Sequence, residues 1–181
     1  MTNNLSTPQG EVTIRAASKT DSGSLLALRL EALTLHPESF AADFEKTRVD
    51  GEKAWVKIIT GYSRNNSGAV VIACASEKLV GMLGIVRGHW PKTAHTAILW
   101  GVYVQSDWRG YHIAEAMINY CVAWASPNGV SVIYLGVNTN NTSAIQCYTR
   151  CGFYTYGTEP RIIFYNGTYF DQYLMARLIS S

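Results

Sequence analysis

Apolar residues recur with two different periods along this chain, and the places where the period changes mark out its elements. Over 11–16, Val12 and Ile14 alternate with polar neighbours, which predicts a strand. Thr20, Asp21 and Ser22 then offer oxygens that can cap a helix, and Leu25, Leu28, Ala32 and Leu35 follow at roughly helical spacing. That helix ends at His36-Pro37, because a residue before proline is pushed out of the α region. A short helix around 37–45 and another over 51–60, carrying Trp55, Ile58 and Ile59, come next; Asn65, Asn66, Ser67 and Gly68 make a turn. The runs 69–75 (AVVIACA) and 79–86 (LVGMLGIV) read as strands joined by the short link Ser76-Glu77-Lys78, and 97–104 (AILWGVYV) as a further strand. From Arg109 the helical period returns, with Ile113, Met117, Tyr120, Cys121 and Trp124 along one stripe, until Pro127-Asn128-Gly129 ends it. Residues 131–137 predict a buried strand. Asn141 and Thr142 can cap a short helix that stops at Gly152, and 153–156 and 169–178 predict two aromatic-rich strands. The order β-α-α-β-β-β-α-β-α-β-β indicates a mixed α/β (α+β) sheet of about seven strands flanked by helices. Residues 1–10 are expected to be a flexible tail, and 11–181 a single domain.

Composition narrows the class. The chain has 181 residues, of which 48% are apolar and only 15% charged, with aromatics at 12%. That balance excludes intrinsic disorder, which needs low hydrophobicity and high net charge. Fifteen Lys and Arg against thirteen Asp and Glu give +2, which speaks against a nucleic-acid binder. No apolar run approaches the ~20 residues of a membrane span, so no membrane partner is expected. The polar start lacks a basic-then-apolar signal, and Cys74, Cys121, Cys147 and Cys151 form no CxxC pair. A reducing cytoplasm is the expected location. Cys147 and Cys151 have no histidine at zinc spacing, so they read as core fillers, and no metal is expected.

The stretch 102–114, V-Y-V-Q-S-D-W-R-G-Y-H-I-A, carries the chemistry. An apolar strand runs through a short polar turn, and Arg109-Gly110 opens a helix. Backbone N–H groups at a helix start lack partners within the helix, and the dipole favours an anion there. Gly110 admits a ligand close to the backbone, and Arg109 adds positive charge. The pattern therefore fits a phosphate or pyrophosphate seat, or an ordinary strand-to-helix turn. It is neither a Walker A loop nor a dinucleotide fingerprint. One strand later, 141–153 reads N-x-x-A-x-x-x-Y-x-x-x-G-F, which sets Asn141, Ala144 and Tyr148 on one helical face. Tyr148 is then either a packing residue or part of a site.

Together the two segments resemble the GNAT superfamily of acetyl-CoA-dependent N-acetyltransferases. Its first signature, Q/R-x-x-G-x-G/A, is matched by Arg109-Gly110-Tyr111-His112-Ile113-Ala114, and its second by the helix just quoted. Residues 169–178 resemble the family's closing strand, and Arg29-Leu-Glu-Ala-Leu33 with Pro37-Glu-Ser-Phe40 is also familiar from the group. The resemblance implies a splayed sheet with acetyl-CoA wedged in its opening. The pantetheine arm would pair with backbone at Val102, Tyr103 and Val104. The pyrophosphate would rest on the N–H groups of Arg109, Gly110, Tyr111, His112, Ile113 and Ala114. Asn141 would hold the arm, and the Tyr148 hydroxyl would face the sulfur. The implied reaction moves acetyl directly to a primary amine of a small molecule, amino acid or peptide, through a tetrahedral intermediate. Tyrosine, with a reference pKa near ~10, would protonate the leaving thiolate.

Two departures stand out. His112 occupies a position usually held by Gly, where a Cβ narrows the approach of pyrophosphate to backbone. No carboxylate appears on 95–104 or 131–137, and Gly136 stands where some relatives place a glutamate. His95, Glu31 or a water chain are the candidates for the base. A non-catalytic acyl-CoA-binding or sensor domain is the alternative reading, distinguished by thiol release from acetyl-CoA with a panel of amines. A nucleotide-binding regulatory domain would instead be protected from heat by ATP or NAD. His89-Trp90-Pro91 predicts a loop on the acceptor's approach. The aromatic tail (Tyr154, Tyr156, Phe164, Tyr165, Tyr169, Phe170 and Tyr173) is suited to an acceptor pocket or the seam of a homodimer.

Overall fold

The computed structural model describes residues 2–179. Along them run β1 (Thr2–Thr7), β2 (Gly10–Ala16), α1 (Ser22–Leu35), α2 (Phe44–Asn65), β3 (Gly68–Ala75), β4 (Lys78–Arg87), β5 (Thr96–Val104), α3 (Ile113–Ala125), β6 (Val132–Asn138), α4 (Thr142–Arg150), β7 (Tyr154–Tyr165) and β8 (Thr168–Leu178). The strands form one mixed sheet in the order β1-β2-β3-β4-β5-β6-β8-β7. Every neighbouring pair is antiparallel except β5 with β6. The α/β class and the flanking helices match expectation, with eight described strands rather than about seven.

Each difference from the sequence reading has a local cause. Residues 2–7, expected to be loose, pair with β2 from Thr2–Arg15 to Thr7–Gly10, and Leu5 packs on the core. Backbone hydrogen bonding to an exposed edge holds them there, which apolar periodicity does not register. In place of the short helix at 37–45 there is a 3₁₀ turn at Pro37–Ser39. Helix α2 is longer than the 51–60 stripe. Asp43 accepts from the Lys46 N–H at 2.7 Å, and the Glu45–Arg48 and Lys46–Asp50 pairs line a polar first half that carries no apolar pattern. That half breaks from the second at Gly51, whose φ of 61° suits glycine. Strand β7 runs on past the expected 156. As an edge strand it tolerates Pro160 and two register shifts, with Arg161 at φ 55°.

The sheet is buried on both faces over its middle. On one side α3 lays Met117, Ile118 and Cys121 against Val71, Leu83, Ile85, Leu99 and Ile133. On the other, α1 and α2 cover Ile72, Met82 and Tyr103 with Leu25, Leu28, Ala32, Trp55 and Ile59. This is why β3 and β4 read as continuous apolar runs. A side chain of this type contributes roughly 1.5–3 kcal/mol when fully buried.

Asp21 fastens α1 to β2. Its carboxylate accepts from Arg15 Nη1 and Nη2, both at 2.8 Å, and from Ser18 N and Oγ at 2.7 and 2.9 Å. These donors, Arg15 foremost, lower its pKa to about 2. A carboxylate depressed on folding stabilises the fold above its unfolded pKa and loses that contribution as pH falls through the folded value. Asp21→Asn is therefore expected to cost about 1–2 kcal/mol at pH 7. The gap from wild type narrows between pH 4 and pH 2 in denaturant titrations. A gap independent of pH over that range contradicts the assignment.

Candidate active site

The parallel pair at the centre of the sheet is short. Strands β5 and β6 pair only at Thr96–Val132, Ala97–Ile133 and Ile98–Tyr134. Beyond that, β5 stays on β4 to Val104 and β6 stays on β8 to Asn138. The two strands diverge, and residues 99–104 and 135–138 become opposite walls of a cleft of about 640 Å³. Strand edges that face a gap can hydrogen-bond an extended, amide-bearing chain laid between them. The β5 wall also carries a bulge: Met82 pairs with Tyr103 and Gly84 with Trp100, so Leu83 opposes both Gly101 and Val102. Gly101 takes φ 65° there, a conformation that favours glycine.

One end of the cleft reaches the start of α3. Arg109, Gly110, His112, Ile113 and Ala114 line it, whereas Tyr111 does not; its ring packs on the core and its hydroxyl meets Gln9 Nε2 at 3.4 Å. The helix begins at Ile113 rather than at Arg109, after a 3₁₀ turn at Ser106–Trp108. Its first N–H groups still open toward the cleft end. Gly110 has φ 83°, and a Cβ there would touch nothing within 4 Å, so the space above it is open. His112 caps the helix at φ 60°, a left-handed conformation strained for a residue with a Cβ. Its exposed ring sits with Nδ1 3.1 Å from Glu115, whose carboxylate is also held by Arg150 at 2.7 Å. The acidic side chain in the first helical turn is thus paired with the Arg150 cation.

The Arg109 side chain turns away from this end. Its Nε donates to the Val104 carbonyl at 3.0 Å, Nη2 meets His36 Nε2 at 2.9 Å, and the guanidinium lies 5.7 Å from the Tyr103 ring centre. The positive charge expected at the anion seat from this side chain is held by the Val104 carbonyl and His36 instead.

Helix α4 supplies the other wall. Asn141 is its N-cap, with Oδ1 accepting from Ala144 N at 3.1 Å and from Ser143 Oγ at 3.2 Å. About two turns further Tyr148, buried, lines the cleft and packs edge-on against Phe153 at 6.1 Å. Burial, reinforced by Cys147 and Cys151 beside it, pushes its phenol well above the ordinary tyrosine range. Val102, Tyr103, Val104, Asn141 and Tyr148, separated along the chain, thus line one cavity with the α3 start.

The candidate bases fare differently. His95 is exposed in the turn before β5, at the closed end of the β5–β6 pair, and does not line the cleft. The Trp90 loop is at that same end, with Trp90 exposed and outside the lining residues. Glu31 lies just outside the cleft, accepting from the Tyr103 hydroxyl and from Gln105 Nε2, both at 2.8 Å. Burial and this hydrogen bond push Tyr103 up to about 12. Over Gly136, where a larger side chain would project, stands Gln172, which donates to Glu159 at 2.8 Å.

Asn138 has no motif to reveal it, and Arg29, Glu38 and Phe40 belong to the early stretches that resemble the family but carry no assigned role at the site. Asn138, buried, donates to the Glu38 carbonyl at 3.1 Å and ties the 37–39 turn to the tip of β6. Glu38 and Phe40 thereby join the lining. Phe40 covers the guanidinium of Arg29, buried on α1. Among the described residues no group of three or more His, Cys, Asp or Glu is placed to hold a metal ion, and no helix is long and apolar enough to cross a membrane.

Comparison with known proteins agrees with this geometry. Residues 29–153 match the acetyltransferase (GNAT) family. The L-amino acid N-acetyltransferase AaaT of Escherichia coli is 35% identical over 112 residues, 60% of this chain and 67% of that protein. In fold, a GNAT-family acetyltransferase from Streptococcus pneumoniae superposes with a TM-score of 0.81 at 21% identity, covering 93% of this chain and 99% of that one. The structure of yncA from Salmonella typhimurium, determined with its cofactor acetyl-CoA, gives a TM-score of 0.81 at 18% identity over 93% and 94%. With the family matched over more than half of its length, this chain belongs to it: it is a GNAT N-acetyltransferase, an acyltransferase that uses acetyl-CoA.

Proposed function

We propose that the cleft between β5 and β6 holds acetyl-CoA along its length and delivers the acetyl group to a primary amine entering from the α1–α2 side. The observation that carries this reading is the parting of two strands beyond Ile98 and Tyr134 while each keeps its outer neighbour. In this reading the edge at Val102, Tyr103 and Val104 pairs with the pantetheine amides. The N–H groups from Arg109 through Ala114 receive the pyrophosphate, with Gly110 leaving room for it. Tyr111 contributes by backbone alone, since its side chain points into the core. Asn141, whose side chain is committed to capping α4, contributes by holding that helix against the arm.

The chemistry asked of the protein is limited. The amine must arrive unprotonated, its nitrogen forms the bond to the acetyl carbon, and the carbon–sulfur bond breaks. Tyr148, kept protonated by burial, gives its proton to the departing sulfur and regains one from solvent before the next turnover, balancing the proton that the amine releases. The amine's own proton leaves to solvent through the open mouth of the cleft, where Glu38 is the carboxylate on the acceptor side. The L-amino acid acceptors named for the Escherichia coli relative support a small-molecule amine.

Calorimetry and a free-thiol assay test this. Titration with CoA is expected to give one site per chain, and acetyl-CoA with an amine panel is expected to release thiol only when a productive amine is present. Binding of CoA without thiol release from any amine would instead favour the non-catalytic sensor.

A further inference from the structure

Among the described residues Arg29 is the one buried cation, and it stands beside this site with no counter-charge. It sits on α1 with 8% of its surface exposed. Its Nη1 has no hydrogen-bond partner, and among the described residues no carboxylate forms an ion pair with it. One face of the guanidinium is covered by the Phe40 ring at 4.6 Å. Its Nη1 is directed at the bulge of β5, 3.4 Å from where a Cβ on Gly101 would stand. Phe40 and Gly101 both line the cleft. A desolvated charge without partners is costly to a folded protein, and a bound ligand of opposite charge would offset that cost. Desolvation, with no opposing charge nearby, moves its pKa down to about 10, which still leaves a full positive charge at neutral pH.

We infer that Arg29 receives a carboxylate of the acceptor, so that the amine acetylated by this protein belongs to a free amino acid or a similar small carboxylate-bearing amine. The inference rests on the acetyl-transfer reading above and narrows its substrate class. The location favours the acceptor over the donor. The expected pyrophosphate position is at the α3 start, whereas Arg29 stands at the bulge, on the face that α1 and α2 cover. Arg29 itself lies behind the cleft lining, and glycine at 101 puts no side chain between its Nη1 and the cleft. A carboxylate is planar and matches the guanidinium fork in two hydrogen bonds, with Phe40 excluding water from its back. A peptide or protein N-terminus presents its amine with no carboxylate on the same residue, so the contact discriminates against it. Glu38, on the same turn as Phe40, puts a negative charge where the ammonium of such a zwitterion would approach.

The test compares free L-amino acids with their carboxamides as acceptors, using thiol release from acetyl-CoA with wild type, Arg29→Gln and Arg29→Lys. The expected result is a kcat/KM for the preferred acid on the order of 100-fold above its amide. In Arg29→Gln that preference collapses toward parity, mainly through a higher KM for the acid, and Arg29→Lys recovers part of it. Because the substitution removes a buried unpaired charge, the Tm of Arg29→Gln is expected to equal or exceed wild type. Equal use of acid and amide by wild type overturns the carboxylate contact alone. So does a fall in kcat shared equally by acids and amides, which would mark Arg29 as acting on the transferred acetyl group. A lowered Tm in both variants, with the acid-over-amide preference retained, would make Arg29 a packing residue and also overturn the inference. Absence of thiol release with every acid and amide, by a protein that binds CoA, overturns the transfer reading and this one with it.

Discussion

Tyr148→Phe is expected to lower kcat about 100-fold while the affinity for CoA stays within about threefold of wild type. The substitution removes one oxygen and keeps the ring that packs against Phe153, so the fold and the cleft wall persist. What disappears is the hydroxyl that the proposal makes the proton donor at the sulfur. The thiolate forms in the same desolvated surroundings that raise the phenol, so its own affinity for a proton rises in step, and transfer between the two stays balanced. The pH profile adds a second readout. A phenol held above its ordinary range is still protonated at pH 10, so wild type should show a rising limb set by the acceptor amine and no alkaline fall below about pH 10. A descending limb near pH 9 that Tyr148→Phe abolishes would contradict the buried-acid assignment. Full turnover by the variant would remove the acid role altogether.

Gly84→Ala is expected to cost about 3 kcal/mol, lowering Tm by roughly 6–12 °C. Gly84 lies opposite Trp100 across the β4–β5 ladder, and a Cβ there would overlap the indole ring. The ring cannot swing aside freely, because it stacks on Trp55 at 6.1 Å and 24°. Overpacking at this point must move either the Trp pair or the β4–β5 register. The consequence reaches the site, since Trp100 and Gly101 line the cleft and Gly101 begins the bulge. Activity should therefore fall together with stability, and intrinsic tryptophan fluorescence should shift as Trp100 leaves Trp55. Thermal unfolding unchanged within about 1 °C would show that the ring has another place to go.

Much of the site was legible because it is local. The turn from Val104 into α3 joins an apolar strand run to a helical one through Arg-Gly, and the structure keeps that join, starting the helix at Ile113, where the stripe begins, four residues after the Arg109 opening expected. Asn141 caps α4 as its residue type predicts, and Gly152 ends it at φ 81°. The resemblance carried Val102–Val104 and Tyr148 into one cavity, and both line it. Other expectations failed for equally physical reasons. Arg109 was read as a charge on the anion end, but the Val104 carbonyl and the ring of His36 hold its guanidinium elsewhere. His95 belongs to β5 by position, yet at the end where β5 and β6 are still paired.

The sequence alone determined the element types, their order and the two motifs around 109–114 and 141–153, because period, caps and turn residues act over a few neighbours. Tertiary structure decided where the central pair of strands opens, that β1 joins the sheet, and that Arg29 stands buried without a counter-charge beside Gly101. Those outcomes depend on which surfaces meet across long stretches of chain. Burial, which makes an unpaired edge or an unpaired charge matter, is set only when the helices close over the sheet.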